Sequence, residues 1–301
     1  MKITLITACY NSEATIGTAI ESVLSQKGVD IEYIVVDGGS KDGTVDVIKE
    51  YSTRSTCSTR LTFKWISEKD HGMYDAINKG IKMATGDVVG ILNADDVLAS
   101  DDTLEKIADK FGSGGVGELV SGGVGESVSG GVKSGGVGAR VDCVYADIRF
   151  VREGETVAAL REAKSVRYCS AKRWRPWMFR FAAMVPHPSF YVRRACFERL
   201  GGYSLDYRIC ADFELELRYL LLSKLRAAYL PACVVVMRMG GMSTAGWRST
   251  VVINREDLRA LRAHGIWSCL PLIYLKYLFK IWGFVFKTRN AEARCEHKTQ
   301  D

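Results

Sequence analysis

Four short polar clusters in the first hundred residues carry side chains that could do chemistry: Thr7 to Asn11, Asp37 to Asp42, Asp70 to Asp75, and Asn93-Ala94-Asp95-Asp96. Each follows an apolar run. The last is the sharpest. Two adjacent carboxylates at the end of VVGIL are costly to bury unless something positive meets them. A divalent cation takes one or two carboxylates plus phosphate oxygens and water. The pair therefore points to a metal-held diphosphate, the plainer alternative being a cap on the helix that follows. Asp37, at the end of IEYIVV, either opens an Asx turn with Gly38-Gly39 or accepts a hydrogen bond from a base or ribose.

The elements that must position these clusters are legible from periodicity. Apolar, β-branched runs predict strands at 2–8, 31–36, 61–67, 88–92, 141–148, 190–192 and 227–237. Amphipathic segments predict helices at 13–26, 44–51, 72–84, 101–111, 212–223 and 251–263. Strands alternating with helices through short connections make βαβ units on a mostly parallel sheet. In such a sheet the carboxyl ends of the strands converge on one crevice, where ligands bind. Four clusters distant in sequence can then share one site.

One stretch fits none of this. SGGV recurs at Ser113, Ser121, Ser129 and Ser134, and residues 112–140 hold 12 of the 29 Gly. A segment with so little to bury and so much backbone entropy to lose reads as a flexible surface insert. It lacks a P-loop signature, so a phosphate cradle is the poorer reading. The nine Cys are scattered without a C-x-x-C pair, which suits neither a disulfide framework nor a zinc site. MKITLITACYN lacks the apolar core of a signal peptide. A cytoplasmic location is expected from these two features.

The motifs ITLITACYNSEATI, IEYIVVDGGSKDGT, SEKDHGMYDAINKGIKMATGD and VVGILNADD, followed by HPSFYVRR, YRICADFELELRY and GGMS, resemble family 2 glycosyltransferases. The resemblance covers residues 1–111 strongly and 141–245 moderately. It implies an α/β GT-A fold, a Rossmann-like mixed, mostly parallel central sheet flanked by helices, with a helical C-terminal tail. The implied organisation is a catalytic domain at 1–245 and a basic, aromatic helical region at 246–301. The domain divides into a nucleotide-sugar half at 1–111, the insert at 112–140 and an acceptor half at 141–245. Carried over position by position, Thr7, Ala8 and Tyr10 line the base and ribose pocket. Asp37 meets the base edge with Gly39 and Ser40 beside it, and Asp70 lies near the nucleotide and donor sugar. Asn78 and Lys79 contact donor groups. Asp95 is a direct ligand of Mn2+ or Mg2+, with Asp96 in support, although Asn93 stands where many members have another Asp. Asp212 matches the catalytic base, capping being its other use, and His187 lies in a matched motif.

The implied activity is inverting transfer of a sugar from a nucleotide-diphosphate sugar, a UDP-sugar by expectation, to a hydroxyl of a glycan or lipid-linked acceptor in surface polysaccharide biosynthesis. Rival readings are a polyprenyl-phosphate sugar synthase and a catalytically inactive sugar-nucleotide-binding protein. The net charge of +6 is concentrated. Residues 161–181 and 266–289 are rich in Lys, Arg, Trp and Phe, which suits peripheral contact with the inner face of a membrane. A core helix and a solvated loop are the competing use. Nucleic acid is not expected, because no groove-reading motif is present.

Overall fold

A computed structural model describes residues 1–54, 60–113, 119–120, 140–152, 154–240 and 247–277. Most of the repeat insert, Gly241 to Ser243 of the GGMS motif, and residues 278–289 of the basic aromatic tail lie outside the described residues.

The apolar, β-branched run at the start forms β1 (Lys2–Cys9), buried over most of its length. β2 (Asp30–Asp37), β3 (Leu61–Ser67) and β4 (Val88–Ile91) follow, separated by α1 (Glu13–Leu24), α2 (Thr44–Arg54) and α3 (Met73–Met83). β1 pairs in parallel with β2 and β4, and β2 with β3. Beyond β4 come a two-residue β5 (Val97–Leu98), α4 (Thr103–Gly112) and a two-residue β6 (Leu119–Val120). The second half supplies β7 (Cys143–Val151), α5 (Val157–Glu162), β8 (Arg167–Cys169) and β9 (Tyr191–Arg193). It continues with α6 (Arg194–Leu200), α7 (Ala211–Glu216), β10 (Ala227–Arg238) and α8 (Trp247–Ala263).

The sheet order is β3-β2-β1-β4-β9-β7-β10-β5. β9 is antiparallel to both β4 and β7, so β7 runs in the same sense as β4, and β10 is parallel to β7. The exits of β1, β2, β3, β4, β7 and β10 therefore share one edge of the sheet. One face is covered by α1, α2 and α4 through Ile16, Ile20, Ile48 and Leu104. The other is covered by α3, α7 and α8 through Ile77, Phe213, Leu215 and Leu261. This is the mixed, mostly parallel α/β architecture that the sequence predicts.

The structure departs from the sequence reading in its second half. The expected helix at 212–223 is α-helical only to Glu216 and winds as a π-helix over Leu217–Leu222, with the N–H of Ser223 reaching the carbonyl of Arg218. Hydrophobic period cannot distinguish these windings, because the same side chains, Leu217, Tyr219 and Leu220, stay buried. Residues 161–181 are also more ordered than a basic, aromatic surface stretch. Trp174 and Phe179 belong to the core, and Pro176–Phe181 forms a 3-10 turn with Pro at its start.

Candidate active site

The loops leaving β1 and β2 are sewn together. The N–H of Asn11 donates to Ser40 Oγ at 2.8 Å, and the N–H of Lys41 returns to Asn11 Oδ1 at 2.9 Å. Asn11 sits in the left-handed region at φ 50°, as an Asn tolerates. Asp37 organises the second loop from full burial. Its Oδ2 accepts the N–H groups of Gly39 and Ser40 at 3.1 Å each and the Ser67 hydroxyl at 2.6 Å. Its Oδ1 accepts from the Ser40 hydroxyl. Gly39 has φ 82°, a conformation that a side chain would strain. The Asx-turn use of Asp37 is thus present. A base edge could reach its carboxylate only by displacing one of these donors.

Thr7 is fully buried within the β1–β2 pair, with its hydroxyl 3.0 Å from that of Tyr33, so its side chain is not offered to a ligand. Ala8 is half-buried, and Tyr10 is 55% exposed at the lip of the same edge. An exposed aromatic ring there offers a face for stacking a base.

The third loop lies directly over the second. A Cβ built on Gly38 would meet Asp70 Oδ2 at 2.4 Å, so glycine is what allows this carboxylate to approach. Asp70 Oδ1 accepts the N–H of Gly72 at 2.9 Å, ahead of α3. Lys79 Nζ braces the loop from α3, bonding Glu68 Oε1 at 2.8 Å and the Lys69 carbonyl at 3.1 Å. Asn78 is used differently from its neighbour. Both ends of its amide bond the backbone of Tyr203 at 2.8 Å, tying α3 to the loop after α6.

The fourth cluster is the least neutralised. Asp96 is buried, and its Oδ2 accepts from the Asn93 amide at 2.8 Å. Among the described residues its Oδ1 has no partner. Burial, and then the charge of neighbouring Asp95, push the Asp96 carboxyl well above the usual carboxylate range. Asp95 is partly exposed and is also raised by burial. The cation nearby is Arg238, at the end of β10, but its guanidinium bonds the Asp95 carbonyl at 2.6 Å, with further bonds to Thr18 Oγ1 and the Gly154 carbonyl. Asn93 therefore fixes one oxygen of Asp96, and the other is a buried acceptor that no described residue fills. Among the described residues no group of three or more His, Cys, Asp or Glu could hold a metal. A cation here would draw its remaining ligands from phosphate and water, as Mg2+ does.

Asp212 lies in the first turn of α7. Its Oδ1 accepts the N–H of Phe213 at 2.8 Å and the hydroxyl of Tyr74 at 3.2 Å. Burial raises its carboxyl to about 6 despite these two donors, and nearby Glu256 adds to the rise. Glu256, on α8, accepts the N–H groups of Arg208, Ile209 and Cys210 at 2.9–3.0 Å, so the capping at this helix start comes from a carboxylate of another helix. The single Tyr74 hydroxyl proton is shared between Asp212 and the closer Ile209 carbonyl, and the Tyr74 ring stacks on Tyr203 at 5.5 Å between centroids. The Tyr203 hydroxyl lies 2.6 Å from His187 Nε2. Burial lowers His187 to about 4, so the ring is neutral at pH 7. A polar and aromatic relay thus runs from His187 through Tyr203 and Tyr74 to Asp212.

Sequence reading missed Tyr74, Tyr203, Glu256 and Arg238. Tyr74 lies inside a quoted motif, but its apolar neighbours and helical period mark it as core. Arg238 had one visible signal, a cation closing the last long strand beside a Gly pair.

A model described as "Glycosyl transferase family 2" matches residues 4–131. A PGL/p-HBAD biosynthesis glycosyltransferase of Mycobacterium tuberculosis is 25% identical over 257 residues, which is 85% of this chain and 82% of the relative. A second glycosyltransferase of the same organism is 29% identical over 72% of this chain and 68% of its own length. Among solved structures, TarS 1-349 of S. aureus in complex with UDP-GlcNAc shares the fold with a TM-score of 0.54 at 16% identity, covering 87% of this chain. The chain spans 66% of that fragment and 40% of the longer TarS structure. The mannosyltransferase PcManGT of Pyrobaculum calidifontis, in complex with GDP-Man and Mn2+, gives a TM-score of 0.52 at 18% identity, covering 94% of this chain and 80% of that one.

Proposed function

We propose that this chain is a family 2 glycosyltransferase, an inverting transferase moving a sugar from a UDP-sugar to a hydroxyl of a glycan or lipid-linked acceptor. The observation that carries the reading is Asp212, a carboxylate raised to about 6 and held by Tyr74. A general base works best when its pKa lies near the working pH, and this one is ionised at pH 7 yet still basic enough to take a proton. Asp212 accepts the proton of the acceptor hydroxyl as that oxygen attacks the anomeric carbon. The bond from that carbon to the diphosphate breaks on the opposite face, and the nucleoside diphosphate leaves. One displacement inverts the anomeric centre.

The remaining residues bind and orient. Tyr10 offers its ring to the base. The Asp37-ordered turn presents Gly39 and Ser40 at the nucleoside, and Asp70 stands between that turn and the donor sugar. Asp95 and Asp96 are the residues that would hold Mn2+ or Mg2+, and a bound ion would offset negative charge on the leaving diphosphate. Lys79 keeps the Asp70 loop in place. Asn78 and His187 act one step back, through Tyr203. The UDP-GlcNAc complex of TarS and the GDP-Man complex of PcManGT support a nucleotide-diphosphate sugar as donor, and the relatives named as PGL/p-HBAD biosynthesis glycosyltransferases support sugar transfer. The free cysteines suit the cytoplasm.

A screen of UDP- and GDP-sugars for donor hydrolysis with Mn2+ tests this directly. Hydrolysis of a UDP-sugar, lost on chelation, is expected. Failure to bind or turn over any sugar nucleotide overturns the reading.

A further inference from the structure

We infer that residues 172–181 and 267–275 form one surface that docks on an anionic lipid bilayer. The two segments are about ninety residues apart in sequence, and the fold joins them: Ser268 Oγ donates to the Arg180 carbonyl at 2.7 Å. Both are anchored in the same core, one by Phe179 and the other by Ile273, each fully buried. What they turn outward is apolar. Trp177 is 56% exposed and Trp267 73%, with Leu270, Tyr274 and Leu275 also exposed. These are five of the eleven exposed large apolar side chains among the described residues, gathered on two touching segments.

The charge carried by the two segments has one sign. Lys172, Arg173 and Arg180 are exposed on the 3-10 turn and its approach. No Asp or Glu lies between Glu162 and Glu198, nor between Asp257 and Glu292. Aromatic rings flanked by Lys and Arg are the composition of a segment lying in the bilayer interface, drawn there by acidic headgroups. A two-fold contact between copies would set this cationic patch against itself, so charge complementarity selects the bilayer over a second copy. Among the described residues no helix is long and apolar enough to cross a membrane. The structure also prunes the sequence's version of this idea. Trp174 is core, and Lys276 is buried in an ion pair with Asp257 at 2.7 Å, so neither is offered to lipid.

The surface borders the acceptor side of the site. Phe179, in the turn behind Trp177, packs edge-on against Phe213 at 5.6 Å, and Phe213 follows Asp212. A bilayer seated on this face brings lipid-borne hydroxyls toward the base. That use rests on the transferase reading, whereas the surface itself does not.

The test is co-sedimentation of the full chain with phosphatidylcholine vesicles, with and without phosphatidylglycerol, alongside Mn2+-dependent UDP-sugar hydrolysis without vesicles. The parent chain is expected to sediment only with the acidic vesicles, and less so as salt rises. A Trp177→Ser/Trp267→Ser variant should lose at least tenfold in partitioning, and Arg173→Ala/Arg180→Ala severalfold. Both should keep donor hydrolysis and thermal midpoint. A chain that ignores acidic vesicles, or variants that bind as the parent does, overturns the proposal. So does light scattering that shows a dimer abolished by the Trp substitutions while vesicles are ignored, since the patch is then an interface between copies. Vesicle binding without any donor hydrolysis supports the surface and overturns the transferase reading alone.

Discussion

The two ends of the parallel sheet treat buried carboxylates in opposite ways. At the amino end, Glu32 of β2 is fully buried and saturated. It accepts from Thr4 Oγ1, Lys64 Nζ, and the N–H and hydroxyl of Thr85, all at 2.7–2.8 Å. Burial alone would raise its pKa, but these donors outweigh it and hold the carboxyl at about 2. At the carboxyl end and the helix above it, Asp96 and Glu216 are equally buried, yet each keeps an oxygen without a partner among the described residues, and both are pushed well above the usual range. Asp212 stands between these cases at about 6. Equal burial with unequal donor supply separates a structural carboxylate from one left to meet a ligand or a proton.

This contrast can be broken experimentally, the largest effect first. Asp212→Asn should lower kcat/KM for transfer by about 10³-fold, within the range of general-base contributions, while the dissociation constant for the UDP-sugar stays the same. Its stability should move the other way. A carboxyl raised from 3.8 to about 6 stabilises the fold below pH 4 and loses that contribution as pH rises through 6. Asp212→Asn should therefore be more stable than the parent to urea at pH 8. Equal transfer rates would remove the role assigned to Asp212.

Asp95→Asn should weaken Mn2+-dependent donor binding by about 10²-fold, on the premise that one ligand lost from a two-carboxylate site costs about 3 kcal/mol. Titration calorimetry with and without the metal measures this, and metal-independent affinity should not change. Glu32→Gln should do the converse. Donor binding is retained, and urea denaturation at pH 7 shows a loss of about 1–2 kcal/mol, the shift at about 1.36 kcal/mol per pKa unit being reduced by solvent screening of the Lys64 partner. For Glu32 the depressed pKa means that the contribution is present above about pH 4.5 and disappears as pH falls through about 2. A variant as stable as the parent at pH 7 would erase the distinction between the two ends of the sheet.

The pH profile sharpens the same comparison. The acid limb of kcat/KM should bend near 6 and fall tenfold per pH unit below it, as Asp212 takes up a proton. Tyr74→Phe, the smallest effect, removes one donor from Asp212. It should shift that limb to higher pH and lower the rate a few-fold, without altering donor affinity. A limb that stays in place in Tyr74→Phe shows that the 3.2 Å bond is not felt by the base.

Much of this is legible in the amino-acid sequence alone. Strand and helix types follow from apolar periods of two and 3.6, and β3 falls at 61–67 as read. The strand-end clusters were visible because an abrupt change from apolar to acidic residues needs no partner to be noticed. The internal wiring was not legible. Asn78 reads as a donor contact, whereas in the structure its amide is spent on Tyr203, 125 residues away. Asp37 reads equally as a turn former or a base acceptor, and only the fold shows the turn bonds made. The basic aromatic segments read as two separate stretches until Ser268 meets Arg180.

The sequence by itself determined which elements form, in which order, and that acidic clusters stand at the exits of parallel strands. These are local properties, carried by period, by β-branching and by the residues at each turn. The tertiary structure alone decided which carboxylates are neutralised and which stay poised, because donor supply depends on groups far apart along the chain. Lys64 reaches Glu32 across 32 residues and Tyr74 reaches Asp212 across 138, while no described residue reaches the second oxygen of Asp96. A carboxylate's chemistry is set by what surrounds it in space, and the chain writes only its identity.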